Sequence, residues 1–243
     1  MKQWGITDAG LARPDNQDAY AMAEVAGFTV AIVCDGMGGA AGGQVASTTA
    51  VETVLDELKR SLRQEMDETQ LMQAVLYAIA CANDAIHRCA DEKEELSRMG
   101  TTLVCAICRP TGEALLCNIG DSRGYHLSGD GIKQITRDHS VVEHMVERGE
   151  LTHAQARRHP NRNLITRALG PDETAQADTF TITLQEGEFL LLCTDGLVNT
   201  VSEQEMLFEV IHESDLEGCL GRLLQIAQDN GAPDNVTAVL MKQ

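Results

Sequence analysis

The stretch Phe28-Thr29-Val30-Ala31-Ile32-Val33-Cys34-Asp35-Gly36 contains an apolar run that ends on an acidic residue and a glycine. The same arrangement returns in Phe189-Leu-Leu-Leu-Cys-Thr-Asp195-Gly196. Each run predicts a buried strand that delivers a carboxylate to its exposed end. The glycine then lets the backbone turn away, because it has no Cβ in the way.

Two further acidic turns stand beside predicted strands. Gly120-Asp121-Ser-Arg123 follows the apolar run at 114–119, and Pro233-Asp234-Asn235 comes just before the run at 236–240. Carboxylates placed repeatedly at strand ends are what a site for hard divalent cations requires. The pattern therefore predicts a metal-dependent hydrolase.

Composition narrows the class of protein. The chain has 243 residues, 43% of them hydrophobic, and no apolar stretch approaches membrane-spanning length. The N-terminus lacks the layout of a secretory signal, so we expect a cytoplasmic protein without membrane insertion. Thirty-seven acidic residues against nineteen basic ones give a formal charge of −18, which disfavours nucleic acid as a partner.

The cysteine pattern indicates reduced, buried thiols. Most of the eight cysteines lie inside apolar runs, where free cysteine behaves as a small hydrophobic residue. Cys105-Ala-Ile-Cys108 has the spacing of a zinc or redox pair, but no second pair accompanies it and it lies in a predicted strand.

The order of predicted elements favours an α+β fold in one domain spanning residues 1–243. Helices are predicted at about 44–62, 68–89, 202–211 and 216–229, from apolar residues at helical spacing. Strands at 101–108, 114–119, 123–127 and 132–135 are joined by turn sequences typical of hairpins, which predicts one antiparallel sheet. Further strands are predicted at about 179–184 and 188–194, and a last strand ends at Leu240. Residues 138–170 are polar and mostly helical, and we expect them to run over the surface.

Short motifs in a fixed order extend over almost the whole chain. They are Arg13-Pro-Asp-Asn-Gln-Asp18, Asp35-Gly-Met-Gly-Gly39, Gly100-Thr-Thr102, Gly120-Asp-Ser-Arg123, Asp138-His-Ser140, His159-Pro-Asn-Arg-Asn163, Thr166-Arg-Ala-Leu-Gly170, Thr194-Asp-Gly-Leu197 and Asp234-Asn-Val-Thr237. In this order they resemble the bacterial metal-dependent protein serine/threonine phosphatases of the PPM or PP2C type.

The resemblance implies a four-layer α-β-β-α sandwich, in which two antiparallel sheets are flanked by helices. It implies a binuclear Mn²⁺ or Mg²⁺ centre between the sheets and a flap at about 138–170. The implied activity is hydrolysis of phosphoserine and phosphothreonine on proteins, reversing a cognate serine/threonine kinase. We expect a monomer.

The same resemblance assigns the metal ligands. Asp35 would bridge both ions, and the carbonyl oxygen of Gly36 would bind one of them. Asp195 and Asp234 would bind the other ion. Asp121, together with Asp195, would bind a third and weaker metal.

Two more residues complete the implied site. Asp18 would hold a metal-bound water, and Arg13 would clamp phosphate oxygens with its planar guanidinium. A water between two such ions loses its proton near neutral pH and would attack phosphorus in line. No covalent phosphoenzyme is then needed.

The chain departs from the family where the proton donor is concerned. Many relatives carry a histidine at the position of Ala40, and others at that of Met37. Such a histidine is the usual candidate for protonating the leaving group. A metal-bound water held by Asp18 is one substitute, whereas His139 and His159 are better explained as structural or flap residues. Gln17, where some relatives have Glu, predicts at most indirect ligation.

Two alternatives stay open on sequence grounds. The missing histidine leaves room for a non-catalytic phosphoprotein-binding pseudophosphatase of the same fold. A phosphatase dedicated to one regulatory phosphoprotein, such as an anti-anti-sigma-type partner, is the other. The flap arginines Arg157, Arg158, Arg162 and Arg167 either recruit an acidic phosphopeptide or form ordinary surface ion pairs.

Overall fold

The computed structural model describes residues 1–92, 94–212 and 215–243, and for residues 40 and 41 it describes the backbone alone. Two antiparallel sheets contain all the strands of these residues. One sheet has the order β2 (Asp18–Val25), β3 (Phe28–Met37), β5 (Leu103–Cys108), β6 (Glu113–Ile119) and β9 (Asp178–Thr183), with the short β4 (Gly100–Thr101) beside the end of β3. The other has the order β1 (Lys2–Asp8), β11 (Val236–Lys242), β10 (Phe189–Cys193), β7 (Arg123–Ser128) and β8 (Gly131–Gln134).

The helices of the described residues fall into an N-terminal pair, two short flap helices and a C-terminal group. They are α1 (Gly39–Ser61), α2 (Glu68–Glu92), the 3₁₀ turn Glu94–Leu96, α3 (Val141–Glu147), α4 (His153–Ala156), α5 (Asp195–Val198), α6 (Glu203–His212) and α7 (Leu216–Asp229).

Three apolar layers hold these elements together. One buries α1 and α2 against β3, β5 and β6, through residues such as Ile32, Leu58 and Ile79. A second buries α6 and α7 against β10 and β11, and a third fills the space between the two sheets. Alternate residues of β3 serve two layers, since Ile32 faces the helices and Val33 faces the other sheet. The arrangement confirms the four-layer α-β-β-α sandwich.

The predicted hairpins are present, but they do not form one sheet. Strands β5 and β6 pair in the first sheet, whereas β7 and β8 pair in the second. The prediction of a single sheet across residues 101–135 is therefore wrong. The turn Gly120-Asp121-Ser122 carries the chain from one sheet to the other, and this change of sheet places Asp121 between them.

Some elements escape the sequence patterns. No strand is predicted before Phe28, yet β1 and β2 are both present. Strand β2 is Asp-Ala-Tyr-Ala-Met-Ala-Glu-Val, and its alanines have low strand propensity. Helix α1 begins at Gly39, five residues before its predicted start, because the glycines there weaken the helical signal.

Among the described residues, no helix is both long enough and apolar enough to span a membrane.

Candidate active site

The ends of strands from both sheets bring the predicted acidic residues together. Asp18, at the start of β2, stands opposite Asp35 in the antiparallel register of β2 and β3. From the other sheet, Thr194 donates a hydrogen bond from its Oγ1 to Asp18 Oδ2 at 2.9 Å. Asp195 follows at once as the first residue of α5. The contact between Thr194 and Asp18 therefore joins the two sheets beneath the cleft.

The backbone of Asp35 is fixed on both sides by threonines. Its N–H donates to Thr102 Oγ1, and its carbonyl oxygen accepts from the Thr102 N–H and the Thr101 hydroxyl, each at 2.9 Å. These bonds satisfy the backbone where β3 leaves the sheet, so the Asp35 carboxylate is presented from a rigid support.

Gly36 lies where two other backbones approach closely. Its N–H donates to the carbonyl oxygen of Gln17 at 3.1 Å. A Cβ added to Gly36 would stand 2.0 Å from the Gly43 carbonyl oxygen. Only glycine fits at this junction of β3 and α1.

Helix α5 orients the Asp195 carboxylate through a residue that the sequence analysis missed. Asn199, one helical turn later, donates from Nδ2 to Asp195 Oδ2 at 3.1 Å. A prediction of helix at 195–198 would have revealed the pair, because residues four apart lie on the same helix face.

The turn before β11 anchors the loop that carries Arg13. Asn235 accepts from the Gln17 N–H at 2.8 Å and donates to the carbonyl oxygens of Ala9 and Asp15 at 2.9 and 3.0 Å. Arg13 Nη2 lies 2.8 Å from Asp234 Oδ2. The phosphate-binding candidate and one predicted ligand are thus neighbours.

The electrostatics of the cleft are unfavourable for bare carboxylates. Burial, with the nearby charge of Asp195 adding to it, raises the pKa of Asp18 to about 7 and that of Asp121 to about 8. Burial and then the Asp18 charge raise the pKa of Asp35 well above its usual range, and burial and the Asp234 charge raise that of Asp195. A bound cation would offset both the lost hydration and the repulsion.

Two buried oxygens test whether this site suits a metal. Asp18 Oδ1 and Asp195 Oδ1 are buried and have no hydrogen-bond partner among the described residues. Buried polar atoms are nearly always satisfied, so these two need a partner such as a cation or its water. All the predicted metal-ligand atoms are oxygens, which suits Mg²⁺ and Mn²⁺. No group of three or more His, Cys, Asp or Glu side chains in the described residues stands close enough together to hold a metal ion without further ligands.

Two adjoining cavities open at this place. The smaller, of about 400 Å³, has among its lining residues six of the seven predicted site residues, namely Arg13, Asp35, Gly36, Asp121, Asp195 and Asp234. Asp18, the seventh, is absent from this lining. The larger, of about 500 Å³, shares Asp121, Asp195 and Asn163 with it and extends beneath the flap.

Of the two positions where some relatives carry histidine, one can be located at the cleft. Met37 lines the smaller cavity, whereas the side chain of Ala40 lies outside the described part of the chain. Gln17 donates a hydrogen bond from Nε2 to the Gly39 carbonyl oxygen at 2.7 Å, so its side-chain amide binds the backbone at the start of α1.

His139 fixes the base of the flap. Its Nδ1 accepts from the Gly120 N–H at 3.1 Å, and its Nε2 lies 3.2 Å from Asp178 Oδ2. Burial lowers the pKa of His139, which favours the neutral ring. His139 and His159 are absent from the lining of both cavities, which favours their interpretation as structural residues.

Comparison with known proteins gives matches along the whole chain. The family profile of protein phosphatase 2C matches residues 13–241. The serine/threonine phosphatase stp of Listeria innocua is 36% identical over 241 residues, covering 98% of this chain and 94% of that protein. Protein phosphatase PhpP of Streptococcus pneumoniae is 35% identical over 247 residues, covering 97% and 95%. The crystal structure of serine/threonine phosphatase Stp1 from Staphylococcus aureus superposes with a TM-score of 0.94 at 33% identity, covering 100% of this chain and 94% of that one.

Proposed function

This chain belongs to the protein phosphatase 2C family and is a metal-dependent protein serine/threonine phosphatase, and we propose that its metal ions bind in the acidic cleft between the two sheets. The observation that carries the proposal is the pair of unsatisfied buried oxygens, Asp18 Oδ1 and Asp195 Oδ1. Asp18 lies at the start of β2 in one sheet, and Asp195 begins α5 just after β10 of the other sheet. The pKa values of both side chains are raised by burial.

The family motifs assign the residues that would hold the ions, and those residues lie at the cleft. Asp35, the Gly36 carbonyl oxygen, Asp195 and Asp234 would together hold two Mn²⁺ or Mg²⁺ ions. Asp121, with Asp195, would hold a third and weaker ion. When bound, such ions supply a hydroxide-like nucleophile and neutralise charge on the transferred phosphoryl group.

The chain's own side chains would then orient the reactants. Arg13 offers a planar fork of donors for two phosphate oxygens, and its 55% exposed side chain can reach a ligand in the smaller cavity. Asp18, held by the Thr194 hydroxyl, would orient a water at the floor of the cleft. Asn199 and the threonines around Asp35 would keep the carboxylates in place.

Residues 1–243 would act as one catalytic domain, with residues 138–170 as a flap beside the cleft. The substrates of the enzyme would be phosphoproteins, and a serine/threonine protein kinase is the class of enzyme that produces them. We expect the protein to act as a monomer.

The test is phosphate release from a phosphothreonine peptide, with Mn²⁺ or Mg²⁺ added and with metal removed by a chelator. Turnover that needs metal supports the proposal. Folded protein that binds the phosphopeptide but releases no phosphate under any metal condition would instead favour a pseudophosphatase.

A further inference from the structure

The larger cavity carries chemistry that the proposed mechanism does not use. It lies between the flap and helices α5 and α6, and its volume of about 500 Å³ is within the range of ligand-binding sites. Asp121, Asp195 and Asn163 line both cavities. The larger cavity therefore adjoins the one in which a substrate phosphate would lie.

The flap beside this cavity is positively charged. Residues 148–167 contain five arginines and one acidic residue, a formal charge of +4 in a chain of −18. Two of these arginines, Arg157 and Arg162, line the cavity, whereas Arg148 and Arg158 are exposed and absent from its lining. The segment thus directs part of its positive charge inward, next to the reaction centre.

The inward arginines are available to a ligand. Arg157 Nη2 lies 3.6 Å from Glu203 Oε1 on α6, beyond hydrogen-bond distance, and both side chains are solvent-accessible. Exposed pairs of this kind are weak. Arg162 makes no ion pair with any residue in the described ranges. The other two arginines of the lining are already paired, Arg137 with Glu147 and Arg123 with Asp138.

Five acidic side chains line the cavity; three of them face a cation, and the other two, Asp121 and Asp195, are predicted metal ligands. Glu143 Oε2 stands 4.0 Å from His153 Nδ1, and Glu203 faces Arg157. Asp138 accepts a bidentate pair of hydrogen bonds from Arg123 at 2.7 and 2.9 Å. Glu203 therefore lies beside Arg157 at a position that a carboxylate of a ligand could take in its place.

We propose that the larger cavity binds acidic side chains flanking the phosphorylated residue, through the guanidinium groups of Arg157 and Arg162. The inference rests on the proposed function, because it names the substrate class of the same site. Arginine suits the role, since its planar fork matches a carboxylate in two parallel hydrogen bonds. Glu203 is an internal competitor for Arg157, so its removal should strengthen binding of acidic peptides.

The experiment uses three phosphothreonine peptides, with glutamate, alanine or lysine on both sides of the phosphoresidue, and the Mn²⁺-loaded protein. We expect the KM of the glutamate peptide to be the lowest. Arg157→Ala and Arg162→Ala should each raise that KM about three- to tenfold while kcat and the KM of the alanine peptide stay unchanged. Glu203→Gln should lower the KM of the glutamate peptide by a similar factor.

Arg158→Ala is the matched control, because it removes the adjacent arginine that does not line the cavity. It should leave all three KM values unchanged. The preference for glutamate should also shrink as salt is raised to about 1 M, where charges are screened within about 3 Å.

Two outcomes separate this inference from the proposed function. Equal KM values for the three peptides, or equal losses in Arg157→Ala and Arg158→Ala, would overturn the docking inference while metal-dependent turnover still stands. If no peptide is hydrolysed, the proposed function fails. Fluorescence anisotropy of the same labelled peptides then still decides whether glutamate flanks bind more tightly through Arg157 and Arg162.

Discussion

Asp18 belongs both to the contact between the two sheets and to the proposed site. Its Oδ2 accepts the Thr194 hydroxyl, while its Oδ1 is buried without a partner among the described residues. Burial and the Asp195 charge raise its pKa to about 7. The pKa of this carboxyl is higher in the folded protein than in the unfolded chain, so folding favours its protonated form. The stability of the metal-free protein should therefore decrease as the pH rises from about 4 to about 7.

Removing that charge should therefore stabilise the metal-free protein. In chelator at pH 8, Asp18→Asn is expected to melt several degrees above the wild type, since it removes a buried carboxylate beside other carboxylates. Added Mn²⁺ should raise the wild-type Tm more than that of the variant. Thermal unfolding checks both shifts, and a variant that melts below the wild type in chelator would contradict this account of Asp18.

The main effect of Arg13 is expected to be on phosphate binding. Arg13→Ala should raise the KM of a phosphopeptide about tenfold or more, because it removes charge-assisted hydrogen bonds to the phosphoryl oxygens. Arg13→Lys should restore only part of the affinity, since lysine lacks the planar fork. Steady-state kinetics and inhibition by inorganic phosphate measure the effect. Unchanged inhibition by phosphate in Arg13→Ala would show that the clamp lies elsewhere.

At the scale of elements, the junction of β3 and α1 depends on one glycine. A Cβ at Gly36 would meet backbone atoms of Gly43 and Gln17 at 2.0 and 2.6 Å, and neither can move without shifting the strand or the helix. Gly36→Ala should cost about 1–3 kcal/mol of stability and weaken Mn²⁺ binding.

Gly129→Ala is the control for that change, because a Cβ there meets nothing within 4 Å. Denaturant unfolding and a Mn²⁺ titration measure the two variants side by side. Equal stability and metal affinity in both would refute the close approach at Gly36.

The base of the flap provides a test of His139. Burial lowers the pKa of this ring below its ordinary value, so the unfolded chain binds the proton more readily than the folded protein. Its contribution to stability is complete above about pH 6.5 and is lost as the pH falls below that value.

His139→Gln should lower stability by about 1–3 kcal/mol at pH 7.5, with a smaller difference at pH 5.5. The pH profile of kcat should keep its shape, because His139 is absent from the lining of both cavities. Urea unfolding at the two pH values and a pH–rate profile give both readouts. Loss of one ionisation from the kcat profile of His139→Gln would identify it as the proton donor instead.

Elements with strong periodicity were predictable, and the weak ones explain what was missed. The apolar runs before Asp35 and Asp195 indicate buried strands, and the structure has them as β3 and β10. Strand β2 was not recognised because it alternates alanine with larger residues, and α5 because it has four residues. Because α5 is not predicted, the role of Asn199 is not predicted either, since its contact with Asp195 depends on the helical turn.

At the scale of the whole molecule, the cleft exists because two sheets meet face to face. Motifs predict that several carboxylates stand at strand ends, but only the packing of β3 against β10 decides that they share one cavity. Periodicity within a segment carries no information on which strand lies beside which. The change of sheet after β6 was missed for the same reason.

We propose that the carboxylates of this cleft bind the ions on which phosphate release depends. The most direct measurement compares Mn²⁺ binding and phosphate release from a phosphothreonine peptide in the wild type, Asp35→Asn and the exposed turn variant Asp130→Asn. We expect metal-dependent release in the wild type and in Asp130→Asn, and loss of both tight Mn²⁺ binding and release in Asp35→Asn. Undiminished binding and release in folded Asp35→Asn would contradict the account.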